Sequence, residues 1–309
     1  MKFGAQIPGN QTSWDDMVAV ARTMDAGRWT SAWTFDHFVP PLGFMDESQD
    51  CLEGWMTLAG LGAVTSRLRL GTIVSGVTYR NPGLLAKMVT TLDAMTNGRA
   101  ILGIGAAWHQ REHEAYGWSF PSIKERSDRL EEACALLSAL LKADGPVSYE
   151  GRYYRLDRAP LSPRQGGASR IRIMVGGGGE KRTLRTLARY GDIMNAGGTP
   201  DQFAAKAAVL DRHCADVGRD PAEITRTAMI NFALQDDEAK AQRLRERLAP
   251  GAPESAWKDL AIGNAEHLIS LLQRYRDAGA DEVIFQGIPN NPRLYDRIND
   301  EVLAAFDGD

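Results

Sequence analysis

Two of the five histidines lie four residues apart in WHQREHEAYG, residues 108–117. On a helix His109 and His113 would share one face, the way a helix offers two ligands to a metal. The zinc-peptidase pattern H-E-x-x-H needs its glutamate directly after the first histidine, and Gln110 holds that place. Glu112 and Glu114 lie at other phases and no third ligand follows at a familiar spacing, so no metal site is expected. His37, in FDHFVPP, suits proton transfer because an imidazole titrates near neutrality; the alternative is a loop histidine held by hydrogen bonds. GGGGEKRT, residues 176–183, places glycine amides at a helix start, where they can take an anion; a phosphate group on a cofactor is the favoured ligand. The segment does not fit the P-loop, and GIGAAW does not fit G-x-G-x-x-G, because Trp108 stands where the last glycine belongs. Cys51, Cys134 and Cys214 form no C-x-x-C pair, and no Ser/His/Asp arrangement can be recognised from spacing. One acid/base candidate, an anion cradle and no evident metal cluster favour redox chemistry on a bound cofactor over hydrolysis.

Residues so far apart need a frame that gathers them. Short β-rich runs alternate with segments of helical period: KFGAQIP, SAWTFDH, LRLGTIV, RAILGIG, IRIMVGG, DIMNAGG, ITRTAMINFAL and DEVIFQG. Eight such runs alternating with helices over about 300 residues predict a (β/α)8 barrel of one domain, residues 1–309. Ser13 is the expected N-cap of the first helix, Asp16 its capping-box partner and Gly27 its stop. GPVSYEGRYYRLDRAPLSPRQGGAS reads as an insertion with a small aromatic hairpin, and RLAPGAPESAWKDLAIGN as a second insertion. A barrel keeps its active site at the C-terminal strand ends. Asp36 and His37 would lie after the second strand, and Thr72, Ile73 and Val74, with Ser75, Gly76 and Thr78 beyond, after the third. Small residues and Trp108 would follow the fourth, the glycines the fifth, Asn195 the sixth and Gln286 the eighth.

Apolar content of 43% and charged content of 25% suit an ordinary soluble enzyme. A formal charge of -4 without a basic stripe weighs against nucleic acid or an anionic membrane surface as partner. The N-terminus lacks a signal-like apolar run, no stretch approaches a membrane span, and the odd, scattered cysteines suit reduced thiols. A cytoplasmic location is the expectation.

WTFDHFVPP, LGTIVSGVTYRNPGLLAKMVTTLDAMTNGRAILGIGAAW, EHEAYGWSFP and IMVGGGGEKRTLRTLARYGDIMN occur in that order within residues 1–200. With these motifs the chain resembles the luciferase-like monooxygenase superfamily, in particular its branch that uses the deazaflavin coenzyme F420. The resemblance implies a (β/α)8 barrel with the cofactor ring at its C-terminal mouth, FMN being the alternative cofactor in the same place. It implies His37 as the proton-transfer residue and Asp36 as a polar cofactor contact. Ile73-Val74 would be a non-prolyl cis peptide behind the ring, and Gly177, Gly178 and Gly179 would surround the cofactor phosphate. Trp108, or Glu112 beyond it, would form the pocket wall, with Glu112 and His113 in local hydrogen bonds and a substrate role for His109 left open. The implied reaction is hydride transfer between reduced F420 and a small molecule, with an FMN-dependent monooxygenase as the second reading and a non-catalytic flavin binder as the third. A homodimer is also implied. The chain departs from the sugar-phosphate dehydrogenases of this fold: it lacks their acidic residue near position 108 and their tryptophan near Pro41, and GGTPDQF offers no lysine. These departures count against glucose 6-phosphate as substrate.

Overall fold

The computed structural model describes residues 1–41, 46–163, 171–250 and 254–308. All eight expected runs are strands: β1 Lys2–Gln6, β2 Ser31–Thr34, β3 Arg69–Thr72, β4 Ala100–Gly105, β5 Arg172–Gly176, β6 Ile193–Ala196, β7 Thr225–Leu234 and β8 Glu282–Gln286. Each pairs in parallel with the next, and Lys2 to Ala5 of β1 pair with Glu282 to Phe285 of β8, which closes the sheet. The helices between them are α1 Trp14–Ala26, α2 Gly54–Val64, α3 Pro82–Met95, α4 Gln110–Ala115, α5 Ile123–Lys142, α6 Thr183–Tyr190, α7 Pro200–Val217, α8 Glu238–Leu248, α9 Ala265–Asp277 and α10 Pro292–Glu301. The chain is a (β/α)8 barrel, as its alternating pattern predicts.

Parallel strands covered by helices are buried on both faces, which is why they read as nearly continuous apolar runs. Alternation still sorts their side chains: Ile101, Met174, Ile193 and Ile284 turn into the barrel with Trp33, whereas Leu102, Ile173, Met194 and Val283 face the helices. Trp33 fits inside because its register partner on β3 is Gly71, where a Cβ would lie 2.7 Å from the indole ring. Ser13 caps α1 by accepting the Asp16 N–H (3.1 Å), and its hydroxyl donates to Asp16 Oδ2 (2.7 Å). Aspartate, one methylene shorter than glutamate, thus closes the turn on the serine hydroxyl. Gly27 ends the helix, donating to Thr23 and Met24.

The first insertion contains the expected hairpin, Val147–Glu150 antiparallel to Arg155–Ala159. The second holds a short strand, Ala261–Gly263, not anticipated from sequence, which pairs with the outer end of β7. Three residues are too few to show a period. Residues 164–169 and 251–253 of these insertions lie outside the described residues.

Candidate active site

β2 ends beneath the barrel mouth and delivers Phe35, Asp36 and His37 in succession. His37 lines a cavity of about 310 Å³ over the strand ends. Its Nδ1 lies 2.8 Å from Glu112 Oε2, and the other Glu112 oxygen accepts the Phe38 N–H at 2.8 Å. A carboxylate can only accept, so Nδ1 carries a hydrogen, and in the neutral form of the ring the lone pair lies on Nε2. No described residue takes a hydrogen bond from or gives one to Nε2. Glu112 is fully buried, brought in by α4, whose first turn is capped by His109 Nδ1 accepting the Glu112 N–H (3.2 Å). Trp108 is 59% exposed and meets the His37 ring edge-on at 5.3 Å.

A second layer of charge holds these loops. Asp36 is buried and paired through both oxygens with Arg80 (2.5 and 3.0 Å), and Arg80 also reaches Glu53, the N-cap of α2. Burial pushes the Asp36 carboxyl up, opposed by the Arg80 guanidinium. Tyr79 lines the same cavity, its hydroxyl 3.5 Å from Glu112 Oε2. Burial and then the Glu112 and Asp36 charges push its phenol far above its ordinary range, so it stays a protonated donor. Burial, helped by Glu112, also pushes the Cys51 thiol up to about 12, the opposite of what a thiolate nucleophile needs.

Opposite His37 the mouth forms an apolar shelf. Ile73-Val74 is a non-prolyl cis peptide, as the resemblance implies, and both residues line the cavity. Val74 fits over the ends of β4 and β5 because glycines lie beneath it: a Cβ on Gly105 or Gly176 would come within 2.8 Å of its methyls. Met229 completes the shelf, and Asn195 lines it with its amide oxygen 3.0 Å from the Thr227 hydroxyl. The far end is polar. Gly177 donates its N–H to Asn195 O (3.3 Å) and turns at φ +116°, which leaves the Gly178 and Gly179 N–H groups without an acceptor among the described residues. Arg182, at the N-cap of α6, makes no side-chain capping bond and reaches instead to Asp128 and Lys124 O. The Leu184 N–H is donated to Gly179 O (3.1 Å), and the Thr183 and Arg185 N–H groups of the first turn are without an acceptor among the described residues. Lys206 closes this end: a Cβ on Gly178 would lie 2.8 Å from its Nζ, which donates to Gly197 O at 2.9 Å. An elongated ligand with a flat apolar ring and an anionic tail fits this shelf and cradle.

The fold therefore brings His37, Ile73, Val74, Trp108, Gly177 and Asn195 around one cavity. Gly178 and Gly179 sit at its anion end. Asp36 and Glu112 lie one layer behind, and the Thr72 hydroxyl faces Ser75 Oγ (3.1 Å) and Gly103 O (3.3 Å). His109 and His113 part company: His113 is buried against Thr78, while His109 packs beside Trp108. Among the described residues no three His, Cys, Asp or Glu side chains converge as metal ligands. Sequence reasoning missed Tyr79, Thr183, Met229 and Lys206. Alternation along β7 could have pointed to Met229, but nothing in the spacing announces that Lys206 returns to the glycines.

Residues 1–286 match the luciferase-like monooxygenase family. An F420-dependent glucose-6-phosphate dehydrogenase of Amycolatopsis mediterranei is 25% identical, covering 99% of this chain and 98% of that protein. Its counterpart in Kineococcus radiotolerans is 34% identical over 78% of this chain and 70% of that protein. An F420-dependent secondary alcohol dehydrogenase, solved with an F420-acetone adduct, superposes with a TM-score of 0.83 over 98% of each chain at 20% identity, which speaks for the fold. No helix among the described residues is long and apolar enough to cross a membrane.

Proposed function

This chain belongs to the luciferase-like monooxygenase family, and on that premise we propose that it is an F420-dependent oxidoreductase with His37 as its proton donor and acceptor. The relatives named as F420-dependent dehydrogenases support the cofactor. The observation that carries the role of His37 is its asymmetry: Nδ1 is tied to buried Glu112, and the unbonded Nε2 belongs to a ring at the same cavity as the apolar shelf.

Ile73, Val74 and Met229 would support the deazaflavin ring, and Asn195 would meet its polar edge. The Gly178 and Gly179 amides, the Thr183 and Arg185 amides at the start of α6 and Lys206 would take the phosphate. When bound, F420 supplies a two-electron hydride carrier. In the reductive direction the substrate carbon of a C=C, C=N or C=O bond gains the hydride pair. The atom at the other end takes the proton of His37 Nε2, leaving a neutral imidazole whose Nδ1–H stays on Glu112. The Glu112 charge stabilises the imidazolium before transfer and fixes the ring angle throughout. Trp108 and the β3 shelf hold the partners close and narrow the access of water.

Titration of the purified protein with F420 and, separately, FMN, followed by tryptophan fluorescence, tests the cofactor. Micromolar F420 binding with weak FMN binding is expected; tight FMN binding with oxygen consumption beside a flavin reductase would make it a monooxygenase. A homodimer in the cytoplasm is part of the same proposal, and sedimentation checks the stoichiometry.

A further inference from the structure

A second cavity, of about 670 Å³, shares His37, Ile73, Trp108 and Met229 with the first and runs away from the glycine cradle. Its far wall is built from amides. Asn231 on β7 and Gln286 on β8 are register partners, so their side chains leave adjacent strands at one height. Gln286 Nε2 donates to Asn231 Oδ1 at 2.9 Å. That leaves the Asn231 amide hydrogens and Gln286 Oε1 without partners among the described residues. Asn290 is held the other way round: its Nδ2 donates to Pro8 O (2.7 Å) and Thr12 Oγ1 (2.9 Å), while its buried Oδ1 has no partner. No lysine or arginine lines this arm among the described residues, and besides His37 its one ionisable side chain is the carboxylate of Asp16.

We propose that this arm binds an uncharged substrate, an apolar body whose hydroxyl or carbonyl oxygen is taken by the Asn231 amide, and that it rejects phosphorylated and carboxylated compounds. A phosphate or carboxylate entering here would give up water without meeting a lysine or arginine, and would face Asp16. A neutral carbonyl meets free amide hydrogens, while Phe35, Ile288 and the Trp108 ring cover its apolar part. The inference rests on the cofactor occupying the first cavity. It sets this chain apart from relatives named for glucose 6-phosphate.

The test uses a matched pair of ketones, methyl levulinate and levulinate, with glucose 6-phosphate as a third probe, titrated calorimetrically into F420-loaded protein. The neutral ester should bind at least about tenfold tighter than either anion, and Asn231→Leu should weaken it by roughly tenfold, one lost hydrogen bond. Asn231→Lys should reverse the preference towards levulinate. F420 affinity, read separately by fluorescence, should be the same in both variants, which also reports that they are folded. Equal or tighter binding of levulinate or glucose 6-phosphate to the wild type overturns the proposal, as does failure of the ester to bind or indifference to Asn231→Leu. If F420 itself does not bind, the cofactor reading fails, and the same ranking measured on the F420-free protein decides the inference about this arm.

Discussion

His37 packs against α4 and His113 belongs to it, and both bond through Nδ1, yet their surroundings give them different work. His113 is fully buried: Nδ1 donates to His109 O at 2.8 Å and Nε2 meets the Thr78 hydroxyl at 2.6 Å. Tyr79 stacks on its ring at 4.9 Å and Phe120 lies at 4.8 Å. Every polar atom of that side chain is spent on holding the 108–118 segment in place. His37 spends one nitrogen on orientation and keeps the other for the cavity. A catalytic group must carry an unfilled valence at the reacting end and a filled one behind it; a structural group has both filled.

The largest effect should come from removing the free nitrogen. His37→Ala is expected to lower kcat by about 10²–10⁴ while F420 affinity stays within a few-fold, because proton transfer is lost and the shelf and cradle are untouched. Stopped-flow turnover beside a fluorescence titration reads both numbers. Equal loss of turnover and affinity would make His37 a binding residue and erase its difference from His113.

His113→Ala should act on the other axis. Deleting a buried ring with two satisfied nitrogens opens a cavity and strands the Thr78 hydroxyl, for a loss of about 2–4 kcal/mol in stability. Chemical denaturation with unchanged m-value would show it. Since α4 also carries Glu112, some turnover will fall with it. A variant that kept wild-type stability but lost all turnover would place His113 in the chemistry and break the comparison.

Glu112→Gln sharpens it further. The amide still fills the site, but it carries no charge for the imidazolium and can turn its NH2 towards Nδ1, which favours the wrong tautomer. A fall of roughly 10- to 100-fold in kcat with little change in KM is expected, the pattern of a residue that acts through another. Unaltered kcat would mean that Glu112 only ties Phe38 and His37 into the loop.

The strands and the position of His37 were legible because both follow from short-range pattern. RAILGIG and DEVIFQG are short apolar runs set between segments of helical period, the pattern of buried parallel strands, and a polar residue just past such a strand lands at the barrel mouth. The partner of His37 was not legible. Glu112 lies 75 residues downstream, and only the folding of α4 back over the mouth brings the two within 2.8 Å. The HxxxH spacing drew attention to a metal, whereas the helix sends His113 inward and leaves His109 at its cap. Lys206 was hidden for the same reason: its ammonium reaches the glycines from the second turn of α7, a matter of helix placement rather than of motif. The glycines themselves were visible, but not that Gly177 spends its N–H on Asn195 while its two successors keep theirs.

The smallest effect concerns a carboxylate at the opposite end of the barrel, where structure is the whole role. Asp25, near the end of α1, accepts the N–H groups of Ser66, Arg67 and Leu68 at 2.8–2.9 Å and the Ser66 hydroxyl, tying that helix to the start of β3. Burial pushes its carboxyl up, but the Ser66, Leu68 and Arg67 amides and the Ser66 hydroxyl together hold it below the ordinary aspartate range. A carboxyl depressed in the folded state stabilises the protein above its unfolded-state pKa, and the contribution is lost as pH falls through the folded value. Asp25→Asn should therefore cost stability at pH 7, on the order of 1 kcal/mol or less after solvent screening. The gap to wild type should begin to narrow below about pH 4 and close only once pH has fallen through the depressed folded value. Turnover should not change, since nothing at this end reaches the mouth. Paired urea titrations stepped from pH 7 down to about pH 2 decide it. A gap that stayed the same down to the lowest pH would show that the amides stabilise by shape rather than by charge, and a loss of turnover would show that the two ends of the barrel are coupled.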